Sequence, residues 1–179
     1  MSCECLTHLR QSVAALDRGL SGRIRVREGN RWVRLVALVV AHLGDSPLWA
    51  VVSAVLYWRG DARLRSAVLL MAAAVILAAA INFGIKNLVR RARPGGYSPL
   101  LYSRRMDQHS FPSGHAARAG AVAATVSAAY PALWPLMLAY ALGVAAARVA
   151  LGAHYLGDVI GGLALGGLVG IVCAAVLGG

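Results

Sequence analysis

Acidic residues are scarce in this sequence, and lysine is nearly absent. The 179 residues include seven Asp and Glu in total, and Lys86 is the one lysine among 18 basic residues. Hard metal ions are bound by clustered carboxylates, and only Asp45, Asp107 and Asp158 could lie near the polar motifs of the chain. We therefore expect no metal site and no cofactor.

Cysteine and amino-terminal apolar residues are also few. Three cysteines, Cys3, Cys5 and Cys173, do not make a disulfide framework, and we expect ordinary thiols. Residues 1–33 hold no apolar run of the kind that a secretory signal peptide requires, so no cleavable leader is expected. Aromatic residues are not interleaved with the basic ones, which argues against a nucleic-acid partner.

Apolar residues, by contrast, make up 59% of the chain, and the mean hydropathy is +0.64. A soluble domain is about 45–50% apolar, so residues 1–179 are predicted to form a single integral-membrane domain. On such a protein the formal net charge of +11 favours membrane lipids with anionic headgroups and phosphates as partners.

Long uncharged segments predict an all-α, polytopic transmembrane helix bundle over residues 34–179, with about five spans. The candidates are 35–57, interrupted at 42–47, then 66–85, two within 119–147, and 159–177. As one helix, 119–147 would be roughly 44 Å long, too long for one crossing of a ~30 Å hydrocarbon core. Pro131 and Pro135 in its middle predict two helices joined by a turn.

Two further patterns bear on packing. Residues 1–33 predict a basic amphipathic helix on the membrane surface, which we expect to end at Gly19 or Gly22. Its apolar residues follow helical spacing: Leu6, Leu9, Val13, Leu16 and Leu20. In the last span a glycine recurs at every fourth position, 162, 166 and 170, which predicts close helix packing rather than a function.

Three polar motifs fall on one predicted side of the membrane. In the first, Lys86 and Arg93 are seven residues apart, so a helix would place them on one face. In the second, Ser113 is a candidate N-cap and Gly114 allows close backbone approach to a ligand. The amide groups of a helix start bind anions, so these motifs together predict a phosphate site.

The third motif supplies Arg148, His154 and Asp158, and the second supplies His115. In a helix, Asp158 could reach the imidazole four residues earlier and orient it. Cations and amides can hold the non-bridging oxygens of a phosphate, while one histidine attacks phosphorus and the other protonates the leaving oxygen. The combination predicts phosphoryl transfer.

The motifs resemble, in order and spacing, those of the type-2 phosphatidic acid phosphatase superfamily, which includes bacterial lipid phosphatases and vanadium haloperoxidases. The family pattern K-x6-RP, PSGH and SR-x5-H-x3-D is matched at 86–94, 112–115 and 148–158. Ala147 stands in place of the family's serine, and we expect this change to tune activity rather than abolish it.

The resemblance implies a metal-independent lipid phosphate phosphatase. In it His154 is the nucleophile that forms a phosphohistidine, Asp158 orients His154, and His115 is the general acid. The implied phosphate ligands are Lys86, Arg93, Ser113, Gly114 and Arg148.

Four other polar residues are secondary candidates. Asn82 precedes Lys86 by one helical turn and could support it. Arg118 is outside the family pattern, and we expect it to anchor its helix rather than bind a second anion. His42 and Asp45 lie at membrane depth, where polar groups indicate function, although a kink near Pro47 explains them equally well.

The implied substrate is a lipid phosphomonoester or diphosphate of the phosphatidylglycerophosphate, phosphatidate, undecaprenyl diphosphate or lipid A type. A phosphotransferase with the same phosphohistidine and a non-catalytic lipid-binding membrane protein remain as alternatives. The resemblance favours a site on the extracytoplasmic face of a bacterial inner membrane, whereas the amino-terminal arginines favour the cytoplasmic face. The sequence does not fix the oligomeric state.

Overall fold

The computed structural model describes residues 3–26, 29–94 and 109–177, and within these ranges the regular structure is entirely helical. The α-helices are α1 (Cys3–Ile24), α2 (Arg31–His42), α3 (Ser46–Arg59), α4 (Ala62–Val89), α5 (Gly114–Ala129), α6 (Trp134–Ala150) and α7 (Leu156–Leu177). A 3-10 turn, Pro131–Leu133, joins α5 to α6. The all-α fold is confirmed.

Each predicted span corresponds to a helix or a pair of helices. The interrupted first span is α2 and α3, which bend by 53° at their junction, and the prolines at 131 and 135 separate α5 from α6 as predicted. Among the described helices, three are long and apolar enough to cross a membrane, or four if α2 and α3 form one span. With its 16 residues, α5 is about 24 Å long, so a fifth span requires that this short helix also crosses.

The amino-terminal helix α1 packs against the start of α7. It continues through both glycines to Ile24, beyond its predicted end. Ser21, which lies between those glycines, accepts a hydrogen bond from the Leu156 amide (2.8 Å), and this contact holds the last turns in place. The large apolar side chains that are exposed in the described part of α1 are Val13, Leu16, Leu20 and Ile24, and their helical spacing is that of a surface helix with one face turned toward lipid.

At the centre of the bundle, α5 packs against α4, α6 and α7, and half of its 16 residues are buried. The glycine repeat of α7 faces it. A Cβ at Gly166 would collide with the Ala117 carbonyl oxygen, and one at Gly170 would lie 2.9 Å from the Ala121 carbonyl oxygen. The prediction of close packing is confirmed, and this contact fixes the start of α7 relative to the start of α5.

Candidate active site

Contacts between the helix ends bring the three motifs together at one end of the bundle. The Ser113 amide donates to the Asp158 carbonyl oxygen (2.9 Å), which ties the start of α5 to the start of α7. Arg93, beyond the end of α4, donates through Nη1 to the Ala153 carbonyl oxygen (3.0 Å). The segments that carry the predicted site residues therefore converge.

His154 lies in the turn between α6 and α7 and is 1% exposed. Its Nδ1 donates to the Ser110 carbonyl oxygen (2.9 Å), so Nε2 keeps the lone pair, and Nε2 lies 3.3 Å from Arg93 Nη1. Burial, reinforced by the charges of Arg93 and Arg148, lowers the pKa of His154 well below its usual 6.5, because a proton would charge a desolvated ring beside cations. The imidazole is therefore neutral, as a nucleophile requires.

Asp158 does not make the direct bond to His154 that their spacing predicted. Its Oδ2 lies 3.6 Å from His154 Nδ1 and accepts from the Tyr155 amide instead (2.9 Å). The physical reason is that α7 begins only at Leu156, so the two residues do not share a helix. Asp158 therefore lies beside the imidazole without a hydrogen bond to it, and the Ser110 carbonyl is the direct orienting partner.

Arg91 links α1 to this site, although the sequence motifs did not identify it as a site residue. Its Nη1 donates to Asp158 Oδ1 (2.8 Å), and its Nη2 donates to Asp17 Oδ2 (2.7 Å). The other oxygen of Asp17 accepts from the Gly157 amide (2.9 Å). One guanidinium group thus holds α1, the segment after α4 and the start of α7 in register.

The three predicted phosphate-binding cations, Lys86, Arg93 and Arg148, all place positive charge near His154. Lys86 and Arg93, however, do not share a helical face as expected. Lys86 and Arg148 are buried near the ends of α4 and α6, with 7% and 1% exposure. Helix α4 stops at Val89 and Arg90 turns into the left-handed region (φ 49°). Arg93 therefore approaches from the following segment rather than from a shared helical face.

The start of α5 has the predicted form, with Ser113 as its N-cap and Gly114 as its first residue. Asn82 donates to the Pro112 carbonyl oxygen (3.3 Å), so this bond supports the segment before α5 rather than Lys86. Arg118 donates through Nε to the Gly44 carbonyl oxygen (3.2 Å). It therefore fastens α5 to the junction of α2 and α3, so the helix is anchored here by a bond within the protein.

That junction also reaches the second histidine of the site. His115, which is 4% exposed, has its Nε2 2.7 Å from Asp45 Oδ1. The other oxygen of Asp45 lies 2.6 Å from His42 Nδ1. The two polar residues at membrane depth therefore belong to the site and are not explained by a kink alone. As a whole, the site combines a neutral imidazole, three cations, a helix start and a carboxylate-bound second histidine. These are the kinds of group that phosphoryl transfer requires.

Comparison with known proteins agrees with this chemistry. The model of the PAP2 superfamily matches residues 67–178. The chain is 34% identical over 140 residues to a decaprenylphosphoryl-5-phosphoribose phosphatase of Mycobacterium tuberculosis, with 78% of each chain covered. It is 37% identical over 98 residues to a lipid A 1-phosphatase of Rhizobium etli, a match that spans 51% of this chain but 42% of that relative.

Two crystal structures share the fold. A transmembrane PAP2 type phosphatidylglycerolphosphate phosphatase from Bacillus subtilis superposes with a TM-score of 0.73 at 26% identity, covering 92% of this chain and 85% of that one. LpxE from Aquifex aeolicus gives a TM-score of 0.72 at 22% identity over 89% of this chain and 95% of that one, a likeness of fold alone. Both support a multi-pass helical membrane protein.

Proposed function

Since this chain belongs to the PAP2 superfamily, we propose that it hydrolyses the phosphate of a membrane lipid through a phosphohistidine on His154. The observation that carries the proposal is the state of this imidazole. Nδ1 is occupied by the Ser110 carbonyl, Nε2 keeps its lone pair, and Arg93, Arg148 and Lys86 place positive charge around the ring. A phosphate drawn to these cations meets a neutral nucleophile.

The proposed reaction has two halves. In the first, His154 Nε2 forms a bond to phosphorus as the bond to the lipid oxygen breaks, and His115 gives that oxygen a proton. In the second, water gives a proton to His115 and attacks phosphorus, so the bond to His154 breaks and inorganic phosphate leaves. The side chains of Lys86, Arg93 and Arg148, with the start of α5, hold the charge that develops on the phosphate oxygens.

The proposed substrates are lipid phosphates. The names of the relatives describe phosphatases of decaprenylphosphoryl-5-phosphoribose, lipid A and phosphatidylglycerolphosphate, so the expected classes are these together with phosphatidate and undecaprenyl diphosphate. The apolar stripe on α1 supports a substrate held in the bilayer, because α1 is bonded to the site through Asp17 and Arg91.

The proposed chemistry needs no metal ion. Within the described residues, no three His, Cys, Asp or Glu side chains are grouped so that they could hold one. The three cations beside His154 supply the positive charge that a metal ion would otherwise bring to the phosphate. We place the site on the extracytoplasmic face of a bacterial inner membrane, which the resemblance supports and the arginines of α1 oppose.

A panel of lipid phosphates, assayed with purified protein in detergent, tests this function. Inorganic phosphate should be released from at least one lipid, in EDTA as well as without it. Vanadate, which mimics pentacoordinate phosphorus, should block the release. Loss of activity in EDTA with recovery on adding a divalent metal would contradict the mechanism. Adding an alcohol acceptor separates hydrolysis from phosphotransfer, since transfer yields a phosphorylated alcohol in place of inorganic phosphate.

A further inference from the structure

We infer that Asp45 is a positioning residue for the general acid His115 and that His42 is the outer partner of Asp45. The inference deepens the proposed function and rests on it. One carboxylate joins the two rings, at 2.7 Å from His115 Nε2 and 2.6 Å from His42 Nδ1. The first ring is almost fully buried, and the His42 side chain is 54% exposed, so the three groups form a chain from the site to the surface.

The Asp45 carboxylate does not make the capping bond that is usual for an aspartate at its position. Asp45 occupies the N-cap of α3, where an aspartate normally accepts from the first amides, but its side chain makes no capping bond. Asp61 occupies the same position in α4 and does accept a bond, from the Leu64 amide (2.8 Å). Two residues of one type at equivalent positions thus behave differently. The Asp45 oxygens lie against the two histidines instead, and Pro47 in the first turn of α3 removes one amide that could have been capped.

The junction of α2 and α3 is held firmly enough to aim this carboxylate. The Leu43 carbonyl oxygen accepts from Trp49 Nε1 (2.8 Å) and from the Tyr140 hydroxyl (3.2 Å). The Gly44 carbonyl oxygen accepts from Arg118 Nε (3.2 Å). Bonds from α3, α5 and α6 therefore fix the two residues that precede Asp45.

The chemistry of a general acid explains why such a partner is useful. His115 must carry a proton before the lipid oxygen leaves, and its burial, together with the charges of Arg148 and Arg118, opposes that proton. The Asp45 carboxylate offsets this repulsion and fixes the ring by holding Nε2–H. Nδ1 then supplies the proton as the bond to the lipid oxygen breaks and the bond to His154 forms. It receives a proton from water in the second half of the reaction.

The dependence of rate on the leaving group tests the inference. We compare Asp45→Asn with Asp61→Asn, the matched N-cap control, on dioctanoyl phosphatidate and on p-nitrophenyl phosphate. General acid catalysis contributes about 10²–10⁴-fold, so a poorly oriented acid should lower kcat/KM for phosphatidate by about 10- to 100-fold. The loss on p-nitrophenyl phosphate should be below about threefold, because nitrophenolate leaves without a proton. Asp61→Asn should not change the ratio of the two rates.

Equal losses on both esters, or no loss on either, would overturn the role of Asp45. If Asp45→Asn does not fold, His42→Ala changes only the exposed end of the chain and should shift the ratio in the same direction by a smaller factor; an unchanged ratio there contradicts the inference. The double variant of Asp45→Asn with His115→Ala should be no slower on phosphatidate than His115→Ala alone. If phosphatidate is not hydrolysed, the best lipid substrate of the panel takes its place in the comparison. A wild type inert on every lipid of the panel would overturn the proposed function and the inference together, whereas an active wild type with an unchanged ratio in Asp45→Asn overturns the inference alone.

Discussion

The packing of α7 on α5 should not tolerate one added methyl group at Gly166. A Cβ there would collide with the Ala117 carbonyl oxygen and lie 2.9 Å from the Ala121 amide nitrogen. These are backbone atoms within a helix, so no change of rotamer can make room and α7 must shift as a body. Gly166→Ala should therefore cost about 2–3 kcal/mol of unfolding free energy, at the upper end of the overpacking range of about 1–3 kcal/mol.

The adjacent residue provides a matched control. A Cβ at Gly167 would meet nothing within 4 Å, and alanine is favoured over glycine in a helix by up to about 1 kcal/mol. In thermal unfolding in detergent, 1 kcal/mol shifts the midpoint by about 2–4 °C for a chain of this size. We expect Gly166→Ala to lower it by roughly 4–12 °C and Gly167→Ala to leave it unchanged or raise it by up to about 4 °C. Equal midpoints for the two variants would refute the close-packing argument.

Two other predictions concern the bridge to α1 and the topology. Arg91→Gln removes the charged partner of the fully buried Asp158. It should cost about 2–4 kcal/mol, slightly less than the ~3–5 kcal/mol for breaking a fully buried pair, because Arg91 is 25% exposed. The exposed neighbour Arg90, changed to Gln, should leave the thermal midpoint nearly unchanged, and a similar shift for both would contradict the bridge. Reporters fused after α7 and within residues 95–108 should report opposite membrane sides, because three crossings separate them; the same side for both would mean that α5 does not cross.

The parts of the fold that the sequence predicts are those that depend on composition. Every proposed span corresponds to described helices because uncharged runs of this length have few alternatives in a bilayer. The prolines at 131 and 135 and the glycine repeat of α7 also behave as predicted, since their effects are local. The expectation that one helix carries both Lys86 and Arg93 was wrong, because the left-handed turn at Arg90 falls on a residue type that gives no signal for it.

The site is predictable only where side chains carry the chemistry. Carboxylates, imidazoles and cations can be read from a sequence, but the Ser110 carbonyl that holds His154 cannot, because every residue has a carbonyl. Arg91 stands beside two other arginines, and only the fold selects it as the partner of Asp158. Asp45 is 70 positions from His115 in the sequence. The one feature of the sequence that indicated a function for Asp45 was the presence of a polar group at membrane depth.

The central claim, that His154 carries the phosphoryl group, is tested most directly by trapping the intermediate. A radiolabelled phosphate ester is mixed with the enzyme and quenched in alkaline denaturant, since phosphohistidine is labile in acid, and the labelled peptide is mapped. We expect label on the peptide that contains His154 in the wild type and in the exposed-histidine control His8→Ala, and none in His154→Ala. Label retained in His154→Ala, or mapped to another residue, would contradict it.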